Sequence, residues 1–83
     1  MKPPKILLVD DDELFAVMLQ RSLVVFGYEV ARARDGREAM KLYDPETFNL
    51  VVTDLIMPDM EGVELIMALR RLNPAVKIIA MSG

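Results

Sequence analysis

The chain has 83 residues, 53% of them hydrophobic, and thirteen acidic against ten basic side chains give a formal charge of −3. That length holds one small domain and that composition supplies a core, which excludes a disordered tail. There is no Cys and no His, which excludes a disulfide framework, thiolate metal sites and the usual imidazole base, and the acidic balance without a basic run argues against nucleic acid or an anionic membrane as partner.

Lys2, Pro3 and Pro4 precede an apolar run far too short for a signal peptide or a membrane span, so a cytoplasmic domain is expected. That run, Ile6-Leu7-Leu8-Val9, follows Lys5 and reads as a strand buried on both faces; it leads straight into Asp10-Asp11-Asp12. Asp11 or Asp12 can cap the next element, a helix in which Leu14, Phe15, Met18, Leu19, Leu23 and Phe26 recur at helical spacing and which Gly27 stops. Tyr28 to Ala33 alternates in polarity and predicts an edge strand. Asp35 followed by Glu38 has the form of a capping box, opening a helix that buries Ala39, Leu42 and Tyr43 and ends at Asp44-Pro45. Asn49 to Thr53 predicts a third strand, which delivers Asp54 at its tip before a turn containing Pro58. Gly62 to Leu72 predicts a third helix with Leu65, Leu69 and Leu72 on one face, closed by Asn73-Pro74. Val76 to Met81 predicts a fourth strand, apolar apart from Lys77.

Strands alternating with helices of this length imply parallel pairing through right-handed crossovers. Parallel strands point their C-terminal ends the same way, so Asp10 and Asp11 share a rim with Asp54. If strands one and three are neighbours, the three carboxylates converge in one crevice. An Asp at the end of a strand ordinarily caps the helix that follows, but one helix needs one cap, and two further acids remain to be explained. Asp12 and Glu13 fit as first-turn acids, and Asp59 and Glu61 serve the turn before helix three in the same way. Three converging carboxylates repel unless a cation sits among them, and an all-oxygen site suits Mg²⁺. Such a metal would neutralise an incoming phosphoryl group, and one carboxylate would then attack phosphorus. Ser82, at the end of strand four, lies on the same rim, where a hydroxyl can bond a phosphoryl oxygen, although a strand-end Ser is more often a turn residue. Lys5 and Lys77 start their strands and belong to the opposite end. Arg32 and Arg34 end strand two near the rim and read as solvated, and the seven Met residues read as core filler.

These residues resemble the receiver domain of two-component response regulators. Leu7-Leu8-Val9-Asp10-Asp11-Asp12 is similar to that family's acidic motif, and Asp35-Gly36-Arg37-Glu38-Ala39 to the start of its second helix. Asp54-Leu55-Ile56-Met57-Pro58-Asp59-Met60-Glu61-Gly62 resembles its phosphoacceptor signature, D-x-x-M-P-x-x-x-G. Ile78 to Gly83 resembles its fourth strand and switch hydroxyl. The resemblance implies a flavodoxin-like three-layer α/β sandwich with a parallel sheet in the order 2-1-3-4. It implies that Asp54 accepts a phosphoryl group from a sensor histidine kinase or phosphotransfer protein. Asp10 and Asp11 would hold Mg²⁺, with Asp54 and the backbone carbonyl of Ile56 completing the protein ligands, and Ser82 would bond the phosphoryl group and swing toward it. Because Ile56, two places after the acceptor, cannot orient a water, a long-lived phosphoform is expected.

A full member of the family continues with a fourth helix, a fifth strand carrying a Lys, an aromatic switch residue and a fifth helix. Residues 1–83 are therefore expected to form a single receiver domain cut short after the fourth strand. Strand four would then be an apolar edge open to self-association. The function expected is that of a phosphoacceptor module rather than an enzyme, with no membrane or direct nucleic-acid contact. Two rival readings are a fragment that serves only for association, and an aspartyl-phosphate hydrolase of the dehalogenase-like kind. The second is weakened because Ile56 stands where those enzymes carry a second acid.

Overall fold

A computed structural model describes residues 3–55 and 62–81. The elements are β1 (Lys5–Val9), α1 (Glu13–Val25), β2 (Glu29–Ala33), α2 (Gly36–Leu42), β3 (Leu50–Asp54), α3 (Gly62–Leu72) and β4 (Ile78–Met81). All strand pairs are parallel and the order is β2-β1-β3-β4, so the expected topology is the observed one. β1 is central, with Val9 opposite Ala33 on one side and Thr53 on the other. Its continuous apolar run follows from that position. Ile6, Leu7, Leu8 and Val9 are each no more than 2% exposed, because helices cover both faces of the sheet.

Alternate residues feed two cores. Leu7, Val9 and Val51 pack with Ala39 of α2 and Leu65 and Leu69 of α3, while Ile6, Leu8 and Val52 pack with Ala16 of α1. Three layers result, α2 and α3 on one face and α1 on the other. Tyr43 and Phe48 close the first core, their rings stacked 6.3 Å apart, and Asn73 at the end of α3 donates to the Tyr43 hydroxyl at 3.1 Å.

Local signals explain the helix ends. Asp12, not Asp11, caps α1 by accepting from the Phe15 amide at 3.1 Å. At the other end Gly27 adopts φ 96°, in the left-handed region that glycine enters without steric cost. That turn lets the amides of Gly27 and Tyr28 bond back to Val24 and Leu23, at 3.0 and 3.1 Å, a Schellman closure. Asp35 caps α2 by accepting from the Glu38 amide at 2.9 Å, and Glu38 reaches back to the Arg34 amide at 3.0 Å, one residue earlier than in the simplest capping box. With only seven residues in α2, its cap matters; Asp35→Ala should cost about 1 kcal/mol in urea unfolding. A loss indistinguishable from that of an exposed Glu46→Ala control would contradict this assignment.

One burial expectation fails: Leu42 is 42% exposed. Of the apolar residues at helical spacing, Leu72 is 56% exposed, Leu14, Phe15 and Met18 of α1 are 73, 46 and 60% exposed, and Phe26, just past α1, is 79% exposed. Helix α1 meets the sheet through Ala16, with Leu19 and Leu23 partly buried against the same core. A helical period locates apolar stripes but does not say which stripe faces the sheet. Strand starts move inward: Tyr28, Asn49, Val76 and Lys77 lie outside the strands, with the Tyr28 amide closing α1 and the Asn49 side chain accepting from the Lys5 amide at 2.8 Å, while β3 runs one residue further than expected, to Asp54.

Candidate functional site

The ladder between β1 and β2 continues one residue past β1, where the Asp10 amide donates to the Ala33 carbonyl at 3.1 Å. This carries Asp10 to the rim while keeping it only 6% exposed. Its Oδ1 accepts from the Asp12 amide at 2.9 Å, a turn that swings Asp12 into its capping position. Asp12 is thereby committed to α1. Asp11 is exposed at the same rim, and Asp54, partly buried, ends β3 opposite Met81 of β4. Carboxylate oxygens of Asp10, Asp11 and Asp54 all lie within 4.8 Å of one another. The predicted convergence is therefore present, and it runs from a buried acid to an exposed one, open to solvent.

Burial raises the Asp10 pKa above its ordinary 3.8, and the negative charges of Asp54, Asp11 and Asp12 push the same way; the bond from the Asp12 amide opposes them. A divalent cation reverses this balance. Asp10, Asp11 and Asp54 would hold such an ion through one carboxylate oxygen each, and it would supply the positive charge the cluster lacks. The donor set is all oxygen, which fits Mg²⁺ and does not fit a soft metal.

The sign of the pH effect follows. The folded chain binds the Asp10 proton more tightly than the unfolded chain, so this group stabilises the metal-free fold in acid. That contribution is lost as pH rises from below 3.8 through the raised value, and stays lost above it. Asp10→Asn should therefore make the metal-free chain more stable at neutral pH, because the amide carries no charge to desolvate and none to repel Asp54 and Asp11. It should also weaken stabilisation by Mg²⁺. Urea unfolding of both proteins at pH 3.5 and 7, with and without Mg²⁺, tests this; a variant less stable than the parent at pH 7 without metal would contradict it.

Beside the cluster a cavity of about 180 Å³ is lined by Asp10, Glu13, Arg32, Arg34 and Glu38 among others. Both arginines are exposed, as expected, but they border the wall that Asp10 forms. Ser82 and the Ile56 carbonyl, with Asp59 and Glu61, fall outside the described residues.

Two residues of the site were not legible as such. Thr53, wholly buried within β3, donates its hydroxyl to the Asp54 carbonyl at 3.0 Å; within an apolar run it carries no signal beyond β-branching. Gly62 reads in the sequence as a helix start and as the last position of the D-x-x-M-P-x-x-x-G pattern, with no sign of what it touches. In the structure a Cβ at that position would meet the Asp54 carbonyl oxygen and come within 2.5 Å of the Leu55 Cα.

The family model for the response regulator receiver domain matches residues 6–83. The chain belongs to that family. This receiver is 38% identical over 78 residues to the transcriptional regulatory protein ZraR of Escherichia coli K12, a match that covers 94% of the chain and 18% of that protein. Among solved structures it is similar to a CheY-like receiver domain protein from Methanospirillum hungatei, with TM-score 0.92 and 37% identity, covering 98% of this chain and 65% of that one. It is also similar to the response regulator TrrA of Thermotoga maritima in complex with Mg²⁺-BeF, with TM-score 0.90 and 33% identity over 95% of this chain and 69% of that one. The receiver spans between 18 and 35% of the length of the curated relatives it matches. No helix among the described residues is long and apolar enough to cross a membrane.

Proposed function

We propose that this receiver accepts a phosphoryl group on Asp54 in a Mg²⁺-dependent reaction, with a phosphohistidine of a sensor kinase or phosphotransfer protein as donor. The observation that carries the reading is the convergence of Asp10, Asp11 and Asp54 within 4.8 Å at the C-terminal tips of β1 and β3. In the transfer a carboxylate oxygen of Asp54 attacks phosphorus, the phosphorus–nitrogen bond of the donor breaks, and its imidazole leaves with the electron pair. The product is an acyl phosphate. Asp10 and Asp11 would hold the metal with Asp54; Asp10, buried and hydrogen-bonded to the Asp12 amide, is the rigid ligand of the set. Magnesium supplies, when bound, the positive charge that lets an anionic donor approach three carboxylates. The complex of the Thermotoga relative with Mg²⁺-BeF supports a site for a divalent cation in this fold. The family resemblance extends the site to the Ile56 carbonyl as a metal ligand and to Ser82 as the phosphoryl contact. On this reading the chain is a substrate-like acceptor in the cytoplasm and not a turnover enzyme.

The test is the intact mass of the chain after incubation with Mg²⁺ and acetyl phosphate, with a chelator arm and peptide mapping of the product. One added phosphoryl group on Asp54, absent with chelator, is expected. No gain in a folded sample, or a gain at another residue, would overturn the proposal.

A second reading, association between copies, is favoured by one observation: Ile79 is 52% exposed on β4, the outermost strand on its side of the sheet among the described residues. Concentration-dependent sedimentation that Ile79→Lys abolishes would support it, and a monomer throughout would refute it.

A further inference from the structure

Residues 54 and 55 are the point at which β3 leaves the sheet and hands its acid to the rim, and the backbone there is held from three sides. The Leu55 amide donates to the Met81 carbonyl at 2.8 Å, and the Gly62 amide donates to the Leu55 carbonyl at 2.8 Å. The third bond, from the Thr53 hydroxyl to the Asp54 carbonyl at 3.0 Å, comes from a side chain and is the one of these that a substitution can remove. Thr53 is 0% exposed, between Val9 of β1 and Ala80 of β4 in the sheet register. Core packing alone would be served as well by Val, which has the same shape and no polar atom to desolvate. The hydroxyl therefore needs another reason to be there. The hydroxyl of Thr53 reaches across the Thr53–Asp54 peptide to the Asp54 carbonyl, so the bond constrains φ and ψ of Asp54 together. Of the two, φ sets the direction in which the Asp54 side chain leaves the strand.

We propose that Thr53 is a positioning residue for Asp54, holding the peptide that follows it so that the carboxylate is aimed at the rim. This rests on the reading of Asp54 as the acceptor, and two separate readouts keep the failures of the two ideas apart. The first compares the initial rate of phosphorylation by acetyl phosphate, at saturating Mg²⁺, in the parent chain, Thr53→Val, Thr53→Ser and Thr53→Ala. Thr and Val differ only by the hydroxyl, and so do Ser and Ala, so the Ser and Ala pair decides if the Val variant does not fold. Each hydroxyl-bearing member should be faster than its partner, on the order of tenfold, as expected for a slightly misaimed nucleophile. Equal rates within both pairs at equal folded fraction, or Ser as slow as Ala, would overturn the proposal. The second readout does not use phosphorylation. Amide hydrogen exchange should show Leu55 losing protection in Thr53→Val relative to Val51 and Val52 in the same strand. If the parent chain takes no phosphoryl group, the acceptor reading fails and exchange alone decides; unchanged relative protection at Leu55 would then overturn the positioning role.

Discussion

Asp54→Asn is expected to abolish phosphoryl acceptance completely while leaving the fold in place. The amide is the same size as the carboxylate, but its nitrogen lone pair is delocalised and its oxygen carries no full charge, so neither atom attacks phosphorus at a useful rate. Two further consequences separate this variant from a general loss of structure. The pairing that carries residue 54 to the rim, opposite Met81, is made by backbone atoms and does not depend on the side chain, so circular dichroism should be unchanged. The cluster also keeps Asp10 and Asp11, so Mg²⁺ binding should weaken without vanishing. Intact mass after acetyl phosphate, together with a metal titration followed by amide shifts, reads all three outcomes. A labelled Asn variant would move the acceptor elsewhere. An unlabelled variant that had also lost its fold would leave the chemistry to Asp54→Glu, which keeps the charge but moves it one methylene outward and should be labelled poorly or not at all.

Gly62→Ala should destabilise the chain strongly for the addition of a single methyl group. At an ordinary first-turn position Ala is favoured over Gly by up to about 1 kcal/mol through helix propensity. Here the added carbon would meet the Asp54 carbonyl oxygen and lie 2.5 Å from the Leu55 Cα. Both obstacles are backbone, so no rotamer change relieves them; either α3 must move away from the sheet or the tip of β3 must bend. Overpacking costs about 1–3 kcal/mol when side chains can adjust, and with rigid neighbours the upper end applies. The clash outweighs the propensity, and a net loss of about 2 kcal/mol in urea unfolding is expected. Moving α3 also strains the bond from the Gly62 amide to the Leu55 carbonyl, which helps hold the peptide beside Asp54. Phosphorylation should accordingly fall more than stability does. An Ala variant as stable as the parent would show that α3 does not press on the acceptor strand.

These expectations draw on different layers of information. The strand-helix alternation, the cap at Asp35, the stop at Gly27 and the acids at the tips of two apolar strands are local signals, readable because each depends on residues within one turn or one strand. The clustered acids were legible for the same reason: Asp10, Asp11 and Asp54 each follow an apolar run that reads as a buried strand. The capping choice between Asp11 and Asp12 was open until the Asp10 carboxylate was seen to accept from the Asp12 amide, a short bond that depends on how the chain leaves the sheet.

Burial on the helices was less legible. Leu14 and Met18 share a helical period with Leu19 and Leu23, but the sheet touches only the stripe that includes Ala16. Which stripe docks depends on the angle at which α1 crosses β1 and β2, and that is set by packing of the helix against the whole sheet.

By itself, then, the sequence determined the family, the order and type of the elements, and which acids stand at the tips of β1 and β3, because short-range patterns and strand ends encode them. Tertiary structure alone decided that those acids come within 4.8 Å of one another, that Asp10 is the buried member, and that Thr53 and Gly62 attend the Asp54 peptide. The physical reason is distance along the chain. β1 and β3 become neighbours only because the connection from β2 to β3 crosses past β1, and contacts closed by such a crossover leave no trace in the local pattern of residues.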